Sequence, residues 1–187
     1  MKEIITLGLK LLLISLIAAL ALGYANDATK DKIFEQREMA NKEARIAVMP
    51  DADEFEKIDL EQKGITDDII QEGYTAIKSD SLIGYVFKVI PKGYGGAVEV
   101  IVGISNDGKL TGVRIGNMNE TPGLGAKSKD IEFYGQYNGM NTTNEIGVSK
   151  SASSDTEIKA ISGATITSKA VTKGVNHAID AFKGLSK

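Results

Sequence analysis

Four hydroxyls crowd one short stretch of the chain, Ser162-Gly163-Ala164-Thr165-Ile166-Thr167-Ser168, directly ahead of a helical pattern. The start of a helix leaves backbone N–H groups without intrahelical partners and carries the positive end of the dipole, so small residues there suit a phosphate group. The same residues have a plainer use, in which Thr165, Thr167 or Ser168 caps the helix and Gly163 makes a turn. A second stretch, Glu120-Thr121-Pro122-Gly123-Leu124-Gly125, reads either as a Pro-Gly turn or as a backbone wall against a flat ligand. In the second reading Gly123 and Gly125 remove side chains and Leu124 offers an apolar contact. Other reactive groups are scarce. The chain has no cysteine and one histidine, His177, which excludes disulfides, thiol nucleophiles, iron–sulfur clusters and thiolate metal sites and leaves little for a Ser/His/Asp triad. Any redox or transfer chemistry must therefore come from carboxylates, hydroxyls, backbone groups or an acquired cofactor.

The elements that must position these stretches come from an ordinary composition: 187 residues, 42% hydrophobic and 25% charged, with a net charge of -3. That is the size of one domain, and the charge offers no field for nucleic acid. Short strands are expected at 54–58, 74–78, 82–90, 97–104 and 110–115. Asn106-Asp107-Gly108-Lys109 between the last two predicts a tight hairpin, because glycine supplies the positive φ that such a turn needs. The region between Ile115 and Ile131 is too rich in breakers for regular structure, and Ser128 is placed to cap a short helix through Asp130 to Gln136. Residues 138–156 read as surface turns and 158–161 as a short apolar approach. The closing helix, from about Thr167 to Phe182, carries Ala170, Val171, Gly174, Val175, Ala178, Ile179 and Phe182 on one face, a stripe fit for a sheet. The fold class expected is α+β, a mostly antiparallel twisted sheet flanked by helices.

Ahead of this domain, Leu7 to Tyr24 is almost wholly apolar, interrupted only by Lys10 and Ser15, and about 18 such residues suffice to cross a bilayer core. Lys2 and Lys10 precede Tyr24 and Asp27 follows it, which predicts a cytoplasmic amino terminus and an extracytoplasmic domain. Ala19-Leu20-Ala21 also satisfies the small-x-small rule of a cleaved signal peptide. The polar helical pattern that continues past the apolar run favours a retained anchor. The expected division is a transmembrane anchor over 1–25, a membrane-proximal helix over 26–50 that ends at Pro50, and the folded domain over 51–187.

Two stretches together, Asn119-Glu120-Thr121-Pro122-Gly123-Leu124-Gly125-Ala126-Lys127 and Ser162-Gly163-Ala164-Thr165, in this order and with Lys92-Gly93-Tyr94-Gly95-Gly96 before them, carry a resemblance to a known family. The chain resembles the FMN-binding domain found in the G subunit of the Rnf electron-transport complex and in the C subunit of the sodium-pumping NADH:quinone reductase, and is more similar to the former. The likeness implies FMN attached covalently, through its phosphate, to Thr165 by a separate flavin transferase. It also implies a place among the other subunits of a membrane ion-translocating complex that links ferredoxin and NAD. Ser162, Gly163 and Ala164 would then flank the tether, with Glu120, Thr121, Gly123, Leu124 and Gly125 as the wall beside the ring. The sequence departs from the family's pattern at one point: Lys159 stands six residues before Thr165, where the family has an aspartate. The alternative readings are a quinone-reductase C subunit and an anchored scaffold domain that has lost its flavin. His177, Tyr134, Tyr137 and the acidic run Asp51 to Glu56 are read as packing residues or a solvated charged face, with no redox or metal role.

Overall fold

The computed structural model of the protein describes residues 1–152 and 154–186. They divide into two units, Met1–Ala40 and Asn41–Lys187. From Lys2 onward the first unit belongs to α1 (Lys2–Val48), whose apolar residues from Leu7 to Leu22 are exposed and whose length and composition suffice to cross a membrane. The last turns of α1, from Asn41 to Val48, belong to the second unit.

That unit is built on five antiparallel strands in sequential order: β1 (Glu54–Ile58), β2 (Ile70–Lys78), β3 (Ser81–Val89), β4 (Val98–Ser105) and β5 (Leu110–Met118). The expected α+β class is the one observed. The β4–β5 turn forms where Asp-Gly predicts it: Gly108 has φ +77 and its N–H donates to the Ser105 carbonyl at 2.9 Å. Strand β2 starts four residues before the expected position. It passes through Gly73, where a Cβ would lie 2.9 Å from Leu60 Cδ2, so this glycine marks a close approach within a strand rather than a break.

One face of the sheet is covered by α3 (Thr165–Leu185). Its stripe packs Val171, Val175, Ile179 and Phe182 into a core with Phe87, Val89, Val100, Val102 and Ile104. Burying each such side chain contributes about 1.5–3 kcal/mol. Gly174 lets the helix sit low, since a Cβ there would meet Val89 Cγ2 at 2.9 Å and Pro91 Cγ at 3.0 Å. The opposite face receives the end of α1, with Val48 and Met49 packed on Ala76, Val86 and Ile101. Three glycines clear that face: a Cβ would lie 2.6 Å from the Val48 carbonyl at Gly103, 3.1 Å from Val48 Cα at Gly112, and 2.8 Å from Met49 Cε at Gly84. Beside this apolar contact Lys88 and Glu99 form a nearly buried ion pair at 3.7 Å. The amide of Asn41, turned so that both groups are satisfied, donates to Glu99 Oε1 at 2.7 Å and accepts from Lys88 Nζ at 3.1 Å.

Three local expectations are corrected. Ser128 does not cap a helix; it is buried, with Oγ 3.4 Å from Met118 Sδ, and the helix that follows is the single turn α2 (Ile131–Tyr134) between 3-10 turns at Gly125–Lys129 and Gly135–Tyr137. Asp130 stands at its N-cap without a side-chain bond. Residues 138–156 are not turns alone, because β6 (Gly147–Ser149) pairs in parallel with β7 (Glu157–Lys159). The closing helix starts at Thr165 rather than Thr167, with Ala164 as N-cap residue and no side-chain cap, so none of the three candidate hydroxyls caps it.

Candidate functional site

Two turns of the same kind, drawn from the two stretches with chemical potential, come together. In Thr121–Leu124 the Leu124 N–H donates to the Thr121 carbonyl at 3.2 Å, with Pro122 second and Gly123 third at φ +76. In Ile161–Ala164 the Ala164 N–H donates to the Ile161 carbonyl at 3.0 Å, with Gly163 third at φ +77. Both are type II arrangements, which require a positive φ at the third residue. They touch: a Cβ on Gly163 would sit 3.0 Å from Leu124 Cδ2.

Glu120 fastens the site from behind. The residue is 8% exposed, its Oε1 accepts the N–H of Gly95 at 3.0 Å, and its Oε2 accepts the hydroxyl of Thr167 at 2.7 Å. One carboxylate thereby joins three separate segments: the loop around Tyr94, the turn after β5 and the first turn of α3. Hydrogen bonds and the positive end of a helix are what a buried carboxylate requires. Gly125 is explained by the same contact, since a Cβ there would lie 2.6 Å from Thr167 Oγ1 and closer still to the Glu120 carboxylate. Its missing side chain makes room for the protein's own Glu120. A Cβ on Gly123 would meet nothing within 4 Å, so this glycine serves its φ and not a close approach.

The hydroxyls at the helix start differ in what they already do. Thr167 is buried and bound to Glu120. Ser168 is fully buried; its Oγ donates to the Ala164 carbonyl and accepts the Ile161 N–H, both at 3.0 Å. Ser162 and Thr165 are exposed. The first backbone bond of the helix runs from Ser168 N–H to the Ala164 carbonyl at 3.0 Å. The N–H groups of Thr165, Ile166 and Thr167 therefore precede the helical ladder, and no side chain caps them.

These elements enclose a cavity of about 580 Å³, within the range of small-molecule sites. Of the residues expected at the site, Glu120, Thr121, Leu124, Gly125, Gly163, Ala164 and Thr165 line it; Gly123 and Ser162 do not. Tyr94, Ile166 and Thr167, which are not among the residues expected at the site, line it as well. The signal for Tyr94 was present in its three neighbouring glycines, whose backbone folds into a turn with Gly93 N–H bonded to the Gly96 carbonyl at 2.7 Å. Tyr94, Ile166 and Leu124 are 72%, 56% and 42% exposed, an apolar rim that the packing of the domain does not use.

Groups outside this cavity have structural employment. Tyr137 is fully buried, edge-on to Phe133 with ring centroids 6.0 Å apart and its hydroxyl 2.7 Å from Thr172 Oγ1; burial pushes the phenol well above its ordinary range. The Arg114 guanidinium stacks 4.5 Å above the ring of Tyr134. His177 Nδ1 bonds to Asp67 Oδ2. Partial burial opposes ionisation of Asp67, but the bonds from His177 and from the Ile69 N–H outweigh it and hold the carboxyl below its usual value. In the acidic run, Asp51 pairs with Lys78 at 3.4 Å and Asp53 accepts the Ser79 N–H at 3.0 Å. A second cavity, of about 510 Å³, is lined by charged side chains including Lys169, Lys173 and Asp180 and contains no residue of either turn.

The fold is that of an FMN-binding domain. The family described as FMN-binding domain matches residues 93–180, a span that contains every wall of the cavity. The G subunit of the Na(+)-translocating ferredoxin:NAD(+) oxidoreductase complex of Acetobacterium woodii is 40% identical over 199 residues, covering 100% of this chain and 95% of that one. Its counterpart in the proton-translocating ferredoxin:NAD(+) oxidoreductase complex of Clostridium ljungdahlii is 39% identical, covering 78% of this chain and 73% of that one. Among solved structures, NqrC of Shewanella oneidensis shares the fold with a TM-score of 0.56 at 17% identity, over 74% of this chain and 71% of that one. The chain belongs to the family of G subunits of ion-translocating oxidoreductase complexes, and it is a single-pass membrane protein with an FMN-binding domain.

Proposed function

We propose that the protein is the electron-carrying G subunit of an Rnf-type ferredoxin:NAD oxidoreductase and holds FMN through a phosphoester to Thr165, with its folded domain on the extracytoplasmic side. One observation carries the attachment site: among the four hydroxyls of the motif, Thr165 alone is exposed and in the cavity wall, at the first position of an uncapped helix. Thr167 and Ser168 are committed to internal bonds, and Ser162 lies outside the lining. The site fits FMN on its own chemistry. Three free N–H groups and the helix dipole suit a phosphate, and the rim of Tyr94, Leu124 and Ile166 suits a flat apolar ring.

In the attachment step a flavin transferase forms the bond from Thr165 Oγ1 to the phosphorus of a flavin pyrophosphate donor, while the P–O bond from that phosphorus to the donor's second phosphate breaks and the second phosphate departs as the leaving group. The hydroxyl proton leaves, and the chain gains FMN less one water. When bound, FMN supplies the electron-accepting and electron-donating chemistry. The chain's own residues orient it: the N–H groups of Thr165, Ile166 and Thr167 hold the phosphate, Leu124 and Tyr94 bound the ring, and Glu120 keeps the three walls in register. The orientation rests on Lys2 and Lys10 ahead of Tyr24 and Asp27 beyond it. In that orientation, protease added to intact wall-stripped cells digests the domain, and full protection would reverse it.

The deciding experiment is co-expression of wild type, Thr165→Val and Thr167→Val with a flavin transferase, then intact-mass measurement and peptide mapping. Wild type and Thr167→Val carry the flavin increment and Thr165→Val does not. A flavin retained in Thr165→Val, or mapped to Thr167, refutes the site. An unmodified wild type favours the flavin-free scaffold, with Lys159, exposed on β7, as the departure to blame; Lys159→Asp then raises occupancy.

A further inference from the structure

A two-stranded parallel sheet with three residues in each strand is too small to hold itself together. β6 and β7 pair Gly147 with Glu157, Val148 with Ile158 and Ser149 with Lys159, and side-chain amides supply what the missing strands would. The Ala160 N–H returns to the Ser149 carbonyl at 2.8 Å, so the N–H and C=O of Lys159 itself face the opposite edge. There Gln136 takes both. The Lys159 N–H donates to Gln136 Oε1 at 2.7 Å, and Gln136 Nε2 donates to the Lys159 carbonyl at 3.3 Å. The same Nε2 is anchored on the carbonyls of Glu132 and Phe133, each at 3.2 Å. At the start of β6, Asn176 of α3 treats Ile146 in the same way, accepting its N–H and donating to its carbonyl, both at 3.0 Å.

The bonds fixed by Gln136 continue to the candidate acceptor. Lys159 is pinned by Gln136 and Ala160 by Ser149; the Ile161 N–H donates to Ser168 Oγ at 3.0 Å, and the Ala164 N–H closes the turn onto Ile161 at 3.0 Å. Thr165 is the next residue. Along this path the side chain of Lys159 stays exposed, so the backbone at the position six residues before Thr165 is rigid and its side chain is free for a partner to read.

We propose that Gln136 is a positioning residue for the modification of Thr165: its two bonds to Lys159 hold β7 as a preformed strand on which a flavin transferase docks. The proposal rests on the reading of Thr165 as the acceptor. Gln136 touches neither acceptor nor flavin, so its loss acts on recognition and leaves the transfer step itself intact. Preformed geometry lowers the ordering cost of binding, and its removal weakens affinity.

The test uses the full chain in detergent, a purified flavin transferase and its flavin donor, with initial rates of incorporation read at several concentrations of the acceptor protein. Gln136→Met keeps the length of the side chain and removes both bonds. It raises the transferase's KM for this protein about tenfold, with kcat within about twofold, and releases the amides of 157–161 to faster hydrogen exchange. Gln136→Glu retains an acceptor for the Lys159 N–H but no donor for its carbonyl, raises KM as well, and serves if the methionine variant does not accumulate. Thr142→Val, which loses a bond of 2.9 Å to the Gly108 carbonyl away from this segment, is the control for general loosening and leaves KM unchanged. An unaltered KM in the Gln136 variants overturns the proposal, and so does an equal rise in Thr142→Val. An unmodified wild type overturns the acceptor reading itself, and a flavinylated wild type with insensitive Gln136 variants overturns only the positioning role.

Discussion

Replacing Thr167 by valine deletes one hydroxyl and almost nothing else, and the consequence is calculable from its surroundings. The hydroxyl donates at 2.7 Å to a carboxylate whose residue is 8% exposed, leaving Glu120 with the Gly95 N–H alone. A hydrogen bond to a charged group is worth about 1.5–3 kcal/mol, and the donor lost here belongs to a residue only 1% exposed. The expected loss is about 2 kcal/mol, which moves a urea midpoint by roughly 1 M for a slope of about 2 kcal/mol/M. With six tyrosines and no tryptophan, tyrosine fluorescence of the full chain in nonionic detergent follows the transition. Glu120→Gln and the double variant complete a cycle, and the two single effects overlap with a coupling of about 1–2 kcal/mol. Flavin still maps to Thr165 in Thr167→Val. A loss under about 0.5 kcal/mol, or additive single effects, would refute the role of Glu120 as the tie between the three walls.

Gly123→Val places a β-branched residue at φ +76, a strain of about 1–3 kcal/mol, with open space around its Cβ. The domain stays folded while Leu124 shifts, so the visible spectrum or potential of the flavinylated variant changes; identical values in a folded variant place the ring away from this turn. Asp67→Asn removes a carboxylate whose value is held below the ordinary range in the folded state. A group of that kind stabilises above its unfolded value and stops doing so as pH falls through its folded one. Urea midpoints of wild type and variant therefore differ fully above about pH 5 and converge as pH falls below about 4, and a gap that is constant from about pH 6 down to about pH 3 contradicts the assignment.

Where one local rule governs, residue types alone suffice to read this fold. The Asp107-Gly108 hairpin and the apolar stripe of α3 each follow from a single periodicity or a single φ. The misplaced features depend on residues far apart in the chain. β6 and β7 are three residues long and hold together through amides from Gln136 and Asn176, which no window around residue 150 contains. Ser128 has the type and spacing of a cap, but the space beside Met118 claims it. In the site, both turns are legible because proline and glycine mark them. Their facing arrangement, the committed hydroxyls of Thr167 and Ser168, and the place of Tyr94 in the wall depend on Glu120 reaching across to two other segments. By its type Gly125 reads as room for a ligand, whereas the atoms that need its space are the protein's own.

The glycine-lined face of the sheet limits where this protein can be cut. Gly84, Gly103 and Gly112 leave a trench whose filling is the segment from Asn41 to Met49, with the Thr111 hydroxyl hooked on the Val48 carbonyl. A signal peptidase acting after Ala21 would leave that filling in place and release a domain with its sheet still covered. Scission farther along, between Asn41 and Pro50, would flood the trench with water, bare Val86 and Ile101, and strip Lys88 and Glu99 of the amide that bridges them. Shedding of a working domain is thus open on one side of residue 41 and closed on the other, and a soluble version meant to keep its shape must carry the end of the helix with it.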